Sequence, residues 1–234
     1  MPDGEKDQGQ ETGKMPVLPL DATASPLQIT QRHLPHWHKE GVTYFVTFRL
    51  ADSIPQDKLR LWRDERDAWL RTHPEPRTPE QEHEFRNIFS DRILAWLDQG
   101  YGECWLKNPA VSEIVENALL YFDGDRYVIG DFVIMPNHVH LIVTPTPGHD
   151  LSDILHSWKS FTSKQINKAV GRTGTLWQDE SYNHIVRSDA QLAHYQQYIR
   201  ENPVKAHLRP GTYRSRTGVP PVSETADQCE RRRA

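Results

Sequence analysis

Two apolar runs joined by a two-residue turn constrain the fold of this chain more than any other feature. Residues 127–135 and 138–144 are rich in β-branched and aromatic side chains, and Pro136-Asn137 stands between them. That pattern reads as an antiparallel hairpin with an apolar core. Side chains alternate along a strand, so His138 and His140 share one face while Val139 and Leu141 turn to the core. Two neutral imidazoles a few Å apart are a natural clip for a metal ion. The same spacing equally fits two polar residues on the solvent face of a half-buried hairpin. His36-Trp37-His38 repeats the spacing in a Pro-containing approach to the first strand, where alternation is not assured. It reads mainly as a packed or capping segment and only secondarily as a metal site.

Around the hairpin the chain alternates strands and helices. Residues 44–50 read as a strand. Two helices separated by a Pro-rich piece at 73–79 fill 57–99, with Leu59, Trp62 and Trp69-Leu70, then Phe85, Ile88-Phe89 and Trp96-Leu97, at helical spacing. A helix is expected over 109–122 and an amphipathic one over 151–170, the latter stopped by Gly171. An extended piece at 176–186 leads to a last helix over 189–201, which Pro203 helps to end. This order predicts an α+β sandwich with a central, mainly antiparallel sheet and helices on one face, plus extra helices in 57–99. The domain is expected over 29–212, with disordered polar tails at 1–28 and 213–234.

Composition excludes several classes. Mean hydropathy is −0.73 and no apolar stretch is long enough to cross a bilayer, so no membrane association is expected. The two cysteines, Cys104 and Cys229, suit a reducing cytoplasm better than a disulfide framework. Neither a glycine-rich phosphate loop nor a Gly-x-Ser-x-Gly elbow nor a CxxC pair occurs. Net charge is −4, yet residues 158–216 hold ten Lys or Arg, including Lys159, Arg187 and Lys205, against four acids. A basic segment on an acidic chain can form a phosphate-binding face, or be ordinary solvated surface. Ser157-Trp158-Lys159-Ser160-Phe161 and Leu176-Trp177-Gln178 interleave basic, hydroxyl and aromatic groups. They suit phosphate contacts and base stacking, although some of these aromatics belong in a core. On the last helix Tyr195, Tyr198 and Asn202 share a face. The Asn202 amide oxygen could complete a two-His-plus-oxygen site for a hard cation, with Tyr198 a turn away. The other reading is rim tyrosines and a helix-ending Asn.

The run Val133-Ile134-Met135-Pro136-Asn137-His138-Val139-His140-Leu141-Ile142-Val143 resembles the two-histidine (HUH) motif of single-tyrosine transposases. Tyr198-Ile199-Arg200-Glu201-Asn202-Pro203-Val204-Lys205-Ala206 resembles their tyrosine motif. Together with Ser157–Phe161, Trp177-Gln178 and Leu34-Pro35-His36-Trp37, the chain over about 32–210 is similar to the REP-associated tyrosine transposases of the IS200-like group. The resemblance implies a ferredoxin-like core with the histidines on its sheet and the tyrosine on a nearby helix. It implies Tyr198 as nucleophile, and His138, His140 and Asn202 as ligands of Mg²⁺ or Mn²⁺. Nicking and strand transfer on single-stranded or hairpin DNA follow, through a 5′-phosphotyrosine, in a monomer or homodimer. Lys159, Ser160, Trp177, Arg187 and Lys205 are then the expected DNA contacts. His207 stands where the family often has Gly. A non-catalytic, domesticated binder of structured single-stranded DNA and a hydrolytic phosphoesterase remain as alternatives.

Overall fold

A computed structural model of the protein describes residues 28–32, 34–38 and 42–218. The tail at 1–27 and the end from 219 onward lie outside the described residues. β1 (Gln28–Arg32) and β2 (Leu34–His38) form a separate two-stranded antiparallel sheet, which takes in the His36-Trp37-His38 segment. There follow β3 (Tyr44–Arg49), α1 (Gln56–Thr72), α2 (Pro79–Phe85), α3 (Asp91–Leu97), α4 (Pro109–Leu120), β4 (Tyr127–Ile134), β5 (His138–Pro145), α5 (Leu151–Val170), β6 (Tyr182–Ile185), α6 (Asp189–Lys205) and β7 (Arg214–Arg216).

Five strands make one open antiparallel sheet in the order β6-β3-β5-β4-β7. Without the edge strand β7, the connection β3-α4-β4-β5-α5-β6 is the double split βαβ of a ferredoxin-like sandwich. The α+β expectation therefore holds. One core cluster packs Val46, Phe48, Val139, Leu141 and Val143 against Val111, Val115, Ile154 and Trp158 of α4 and α5. These are the helices predicted on one face.

The opposite face is covered too. α6 lies there, with Tyr195 and Ile199 against Phe45, Val133 and Ile142. All six residues of β3 are buried. The alternation Phe45-Thr47-Arg49 and His138-His140 resembles a solvated face in sequence, but a helix covers it. α6 also runs past its predicted end, with Pro203 inside it. The turn holds because Pro203 loses only its own donor, while its carbonyl still accepts from the Leu208 N–H at 2.9 Å. The predicted tail at 213–234 is corrected at its start. Arg214–Arg216 pairs with β4, fastened by Arg214 to Glu116 at 2.6 Å and Arg216 to Asp123 at 3.0 Å.

The 57–99 helices form a layer with a small core of its own, made of Ile54, Leu59, Trp62, Phe85, Phe89 and Leu97. A π-turn at Arg86–Ser90 joins α2 to α3. Among the described residues no helix is long and apolar enough to cross a membrane.

Candidate metal and tyrosine site

The site begins at the hairpin turn. Met135 N–H donates to the His138 carbonyl at 2.8 Å, which leaves Pro136-Asn137 as the loop. Asn137 is 1% exposed. Its Nδ2 donates to the carbonyls of Leu97 (3.3 Å) and Tyr101 (3.0 Å), so its Oδ1 must be the atom facing His138 Nδ1 at 2.7 Å. An acceptor there places the proton on Nδ1 and leaves the Nε2 lone pair free.

His140 sits two residues on, opposite Thr47 in the β3–β5 register, and its Nδ1 lies 2.7 Å from the Thr47 hydroxyl. A hydroxyl donates or accepts. With its proton on Nε2, His140 donates to His138 Nε2 across 2.8 Å. With the proton on Nδ1, it donates to Thr47 and both Nε2 lone pairs converge on one point. An octahedral ion with bonds of about 2.1 Å places adjacent donors about 3 Å apart, close to this separation. Both histidines are fully buried, and burial holds His138 down to about 3 and His140 well below the usual imidazole range. They stay neutral, as ligands must.

α6 brings the tyrosine motif over this pair. The Tyr198 ring centroid lies 5.1 Å from that of His140 and 5.8 Å from that of Phe45, edge-on to both. Its hydroxyl is buried without a hydrogen-bond partner of acceptable geometry, and so is the Asn202 carboxamide oxygen. Asn202 Nδ2 donates to Asp98 Oδ1 at 3.4 Å, which fixes which end of the amide is the oxygen. Two buried oxygens without a well-formed hydrogen bond, on the helix that crosses two neutral imidazoles whose Nε2 atoms lie 2.8 Å apart, fit a hard divalent cation. Desolvation raises the Tyr198 phenol well above its ordinary range, and the negative charge of Asp98 raises it further. Tyr195 is a core residue, stacked on Phe45 with centroids 4.3 Å apart.

Sequence reasoning missed three neighbours. Asp98, at the end of α3, offers a carboxylate oxygen, and one ligand atom each from Asp98, His138 and His140 lie within 4.8 Å of one another. Arg49 stands directly opposite His138 in the register and bonds Ser53 Oγ at 3.2 Å; burial lowers its pKa to about 10. Thr47 is the third. Each lies far from the histidines in sequence, and only the strand register could have pointed to the two on β3.

The expected DNA contacts are scattered. Lys159 Nζ donates to the carbonyls of Gln178 and Asp179, both at 3.1 Å, and to Ser181 Oγ at 2.5 Å. Trp177 is 3% exposed, with its ring edge-on to Phe48 and its Nε1 donating to Thr162. Both hold the loop before β6. Ser160 is half-buried, and Arg187 and Lys205 are exposed. Lys205 pairs with Glu201 at 2.9 Å.

A two-histidine hairpin on a ferredoxin-like sheet, crossed by a tyrosine helix, can be compared with known sequences and structures. Residues 106–202 match the family model described as Transposase IS200 like. The chain is similar to a REP-associated tyrosine transposase of Escherichia coli (strain K12), 31% identical over 94 residues. That match takes in 40% of this chain and about half, 54%, of the relative's length. A solved structure of a REP-associated tyrosine transposase bound to a REP hairpin is similar at a TM-score of 0.42 and 19% identity, covering 75% of this chain and 74% of that one.

Proposed function

We propose that this chain is a metal-dependent enzyme that nicks and rejoins single-stranded DNA at hairpin-forming repeats, through a covalent bond to Tyr198. One observation carries the reading. The Nε2 atoms of His138 and His140, 2.8 Å apart, lie beneath the helix that carries Tyr198 and Asn202, whose buried oxygens lack a well-formed hydrogen bond. The substrate class comes from the relatives, whose names specify transposases and a REP hairpin.

His138, His140 and Asn202 would hold Mg²⁺ or Mn²⁺, which when bound draws charge off a phosphate and makes ionisation of a nearby phenol easier. The rest belongs to the protein. Asn137 holds His138 in the ligand tautomer, and the Thr47 hydroxyl can accept from His140 Nδ1 when that ring serves as a ligand. Phe45 and His140 bracket the Tyr198 ring and limit where its oxygen points. Tyr198 Oη attacks phosphorus, the bond to the 3′-oxygen breaks, and that oxygen leaves as a 3′-hydroxyl after taking up a proton. The phosphodiester energy stays in the 5′-phosphotyrosine, so a 3′-hydroxyl on another strand can reverse the step without ATP. Ser160, Arg187 and Lys205 are the proposed contacts to the DNA backbone, whereas Lys159 and Trp177 act by shaping the loop they hold.

The test is incubation of the full chain with hairpin-bearing single-stranded DNA and Mn²⁺. We expect a DNA-linked protein band that EDTA and Tyr198→Phe each abolish. Multiple-turnover cleavage that survives Tyr198→Phe would make the chain a hydrolase instead. Hairpin affinity unchanged by His138→Ala, with no cleavage by the wild type, would make it a non-catalytic binder.

A further inference from the structure

We propose that Asp98 is itself a metal ligand, so that the 57–99 helical layer completes the metal site. The inference rests on the reading that His138 and His140 hold an ion, and adds a donor that neither motif contains. Among the described residues, Asp98, His138 and His140 are the one group of three or more His, Cys, Asp or Glu whose ligand atoms converge this closely, all within 4.8 Å.

Two links hold Asp98 in place. Asn137 Nδ2 bonds the Leu97 carbonyl, immediately before Asp98, and the Tyr101 carbonyl just after it. The same side chain orients His138 through Oδ1. One amide therefore sets the carboxylate-bearing segment and the imidazole relative to each other. From the other side, Asn202 Nδ2 donates to Asp98 Oδ1, while Asn202 Oδ1 stays unpartnered. A donor set of two imidazoles and an amide is neutral, and a divalent ion buried among neutral groups lacks a balancing charge. A carboxylate supplies one negative charge and a hard oxygen, which suits Mg²⁺ and Mn²⁺. Two histidines and one carboxylate on one side of an ion leave positions open for phosphate oxygens. Asp98 is half-buried while both histidines are fully buried, so the side of the group nearer solvent is that of Asp98.

The test is titration of the full chain with MnCl₂, followed by calorimetry and by the electron paramagnetic resonance signal of bound Mn²⁺. Asp98→Asn keeps the size of the side chain and removes its charge; Asp98→Glu keeps the charge. We expect Asp98→Asn to weaken Mn²⁺ affinity by about tenfold or more and to change the bound-Mn²⁺ spectrum. Asp98→Glu should recover most of the affinity. In EDTA, both variants should melt within a few degrees of wild type. If Asp98→Asn binds Mn²⁺ like wild type while His140→Ala does not, Asp98 is no ligand, although the histidine site stands. If wild type itself binds no Mn²⁺, the Asp98 proposal fails together with the metal reading.

Discussion

Asn137 positions more of the site than any other single side chain. It satisfies two buried carbonyls, selects the His138 tautomer, and joins the hairpin to the helical layer. Replacing it leaves those carbonyls without a donor and lets His138 turn. Asn137→Ala is expected to cost about 2–3 kcal/mol in urea unfolding, and to weaken Mn²⁺ binding by about tenfold. In sequence Asn137 reads only as a turn residue, because its partners Leu97 and Tyr101 lie some 40 positions away. The histidine pair was legible for the opposite reason. Strand alternation is local, and it places both rings on one face whatever the rest of the chain does. What spacing could not decide was whether that face is wet or covered, and α6 settles this by burying it.

α6 is the element where sequence signals and packing diverge most. Pro203 looks like a stop, but the helix continues to Lys205 and closes two residues later. His207 N–H bonds the Val204 carbonyl and Leu208 N–H bonds the Pro203 carbonyl, the paired bonds of a Schellman cap. That cap needs a left-handed residue, and His207 supplies it at φ 51°. Glycine takes this conformation without a Cβ penalty, so His207→Gly should stabilise the fold by about 0.5–1 kcal/mol, a rise in Tm of about 1–4 °C. A lower Tm would mean that the imidazole makes a contact worth more than the strain. The α5–β6 segment shows a different ambiguity. Alternating aromatic, hydroxyl and basic residues describe a DNA surface and a core edge equally well, and Trp177 and Lys159 belong to the second. Trp177→Ala should therefore cost about 3–5 kcal/mol of stability. Arg187→Ala should reduce the salt dependence of DNA binding by about one counterion.

At the scale of the whole molecule, the succession of strands and helices along the chain and both motifs follow from the sequence, while the order of strands in the sheet and the meeting of its layers do not. The α+β sandwich was legible because each strand and helix carries its own period, while the ferredoxin-like core was implied only by the resemblance of the two motifs. The closure of the histidine face by α6, and the approach of Asp98 from the helical layer, depend on long-range packing that no local period encodes. That closure has a consequence in acid. His138 and His140 are held well below their unfolded value, so below about pH 6.5 the unfolded chain takes up protons that the folded one refuses. The sign is a loss of stability as pH falls from about 6.5 toward 3, with each histidine contributing a slope of up to about 1.4 kcal/mol per pH unit. Urea unfolding from pH 8 to pH 4 should show this slope, and His138→Gln should reduce it.

The central claim is that the histidine hairpin and the tyrosine helix form one reaction centre that acts on DNA. The most direct measurement is mass spectrometry of the DNA-linked peptide, after reaction with hairpin-bearing single-stranded DNA and Mn²⁺, then protease and nuclease digestion. The account predicts a nucleotide joined through a 5′-phosphate to Tyr198, and none on Tyr195 or in a His140→Ala variant. A stable adduct on another residue, or one that forms equally well without His140, would contradict it.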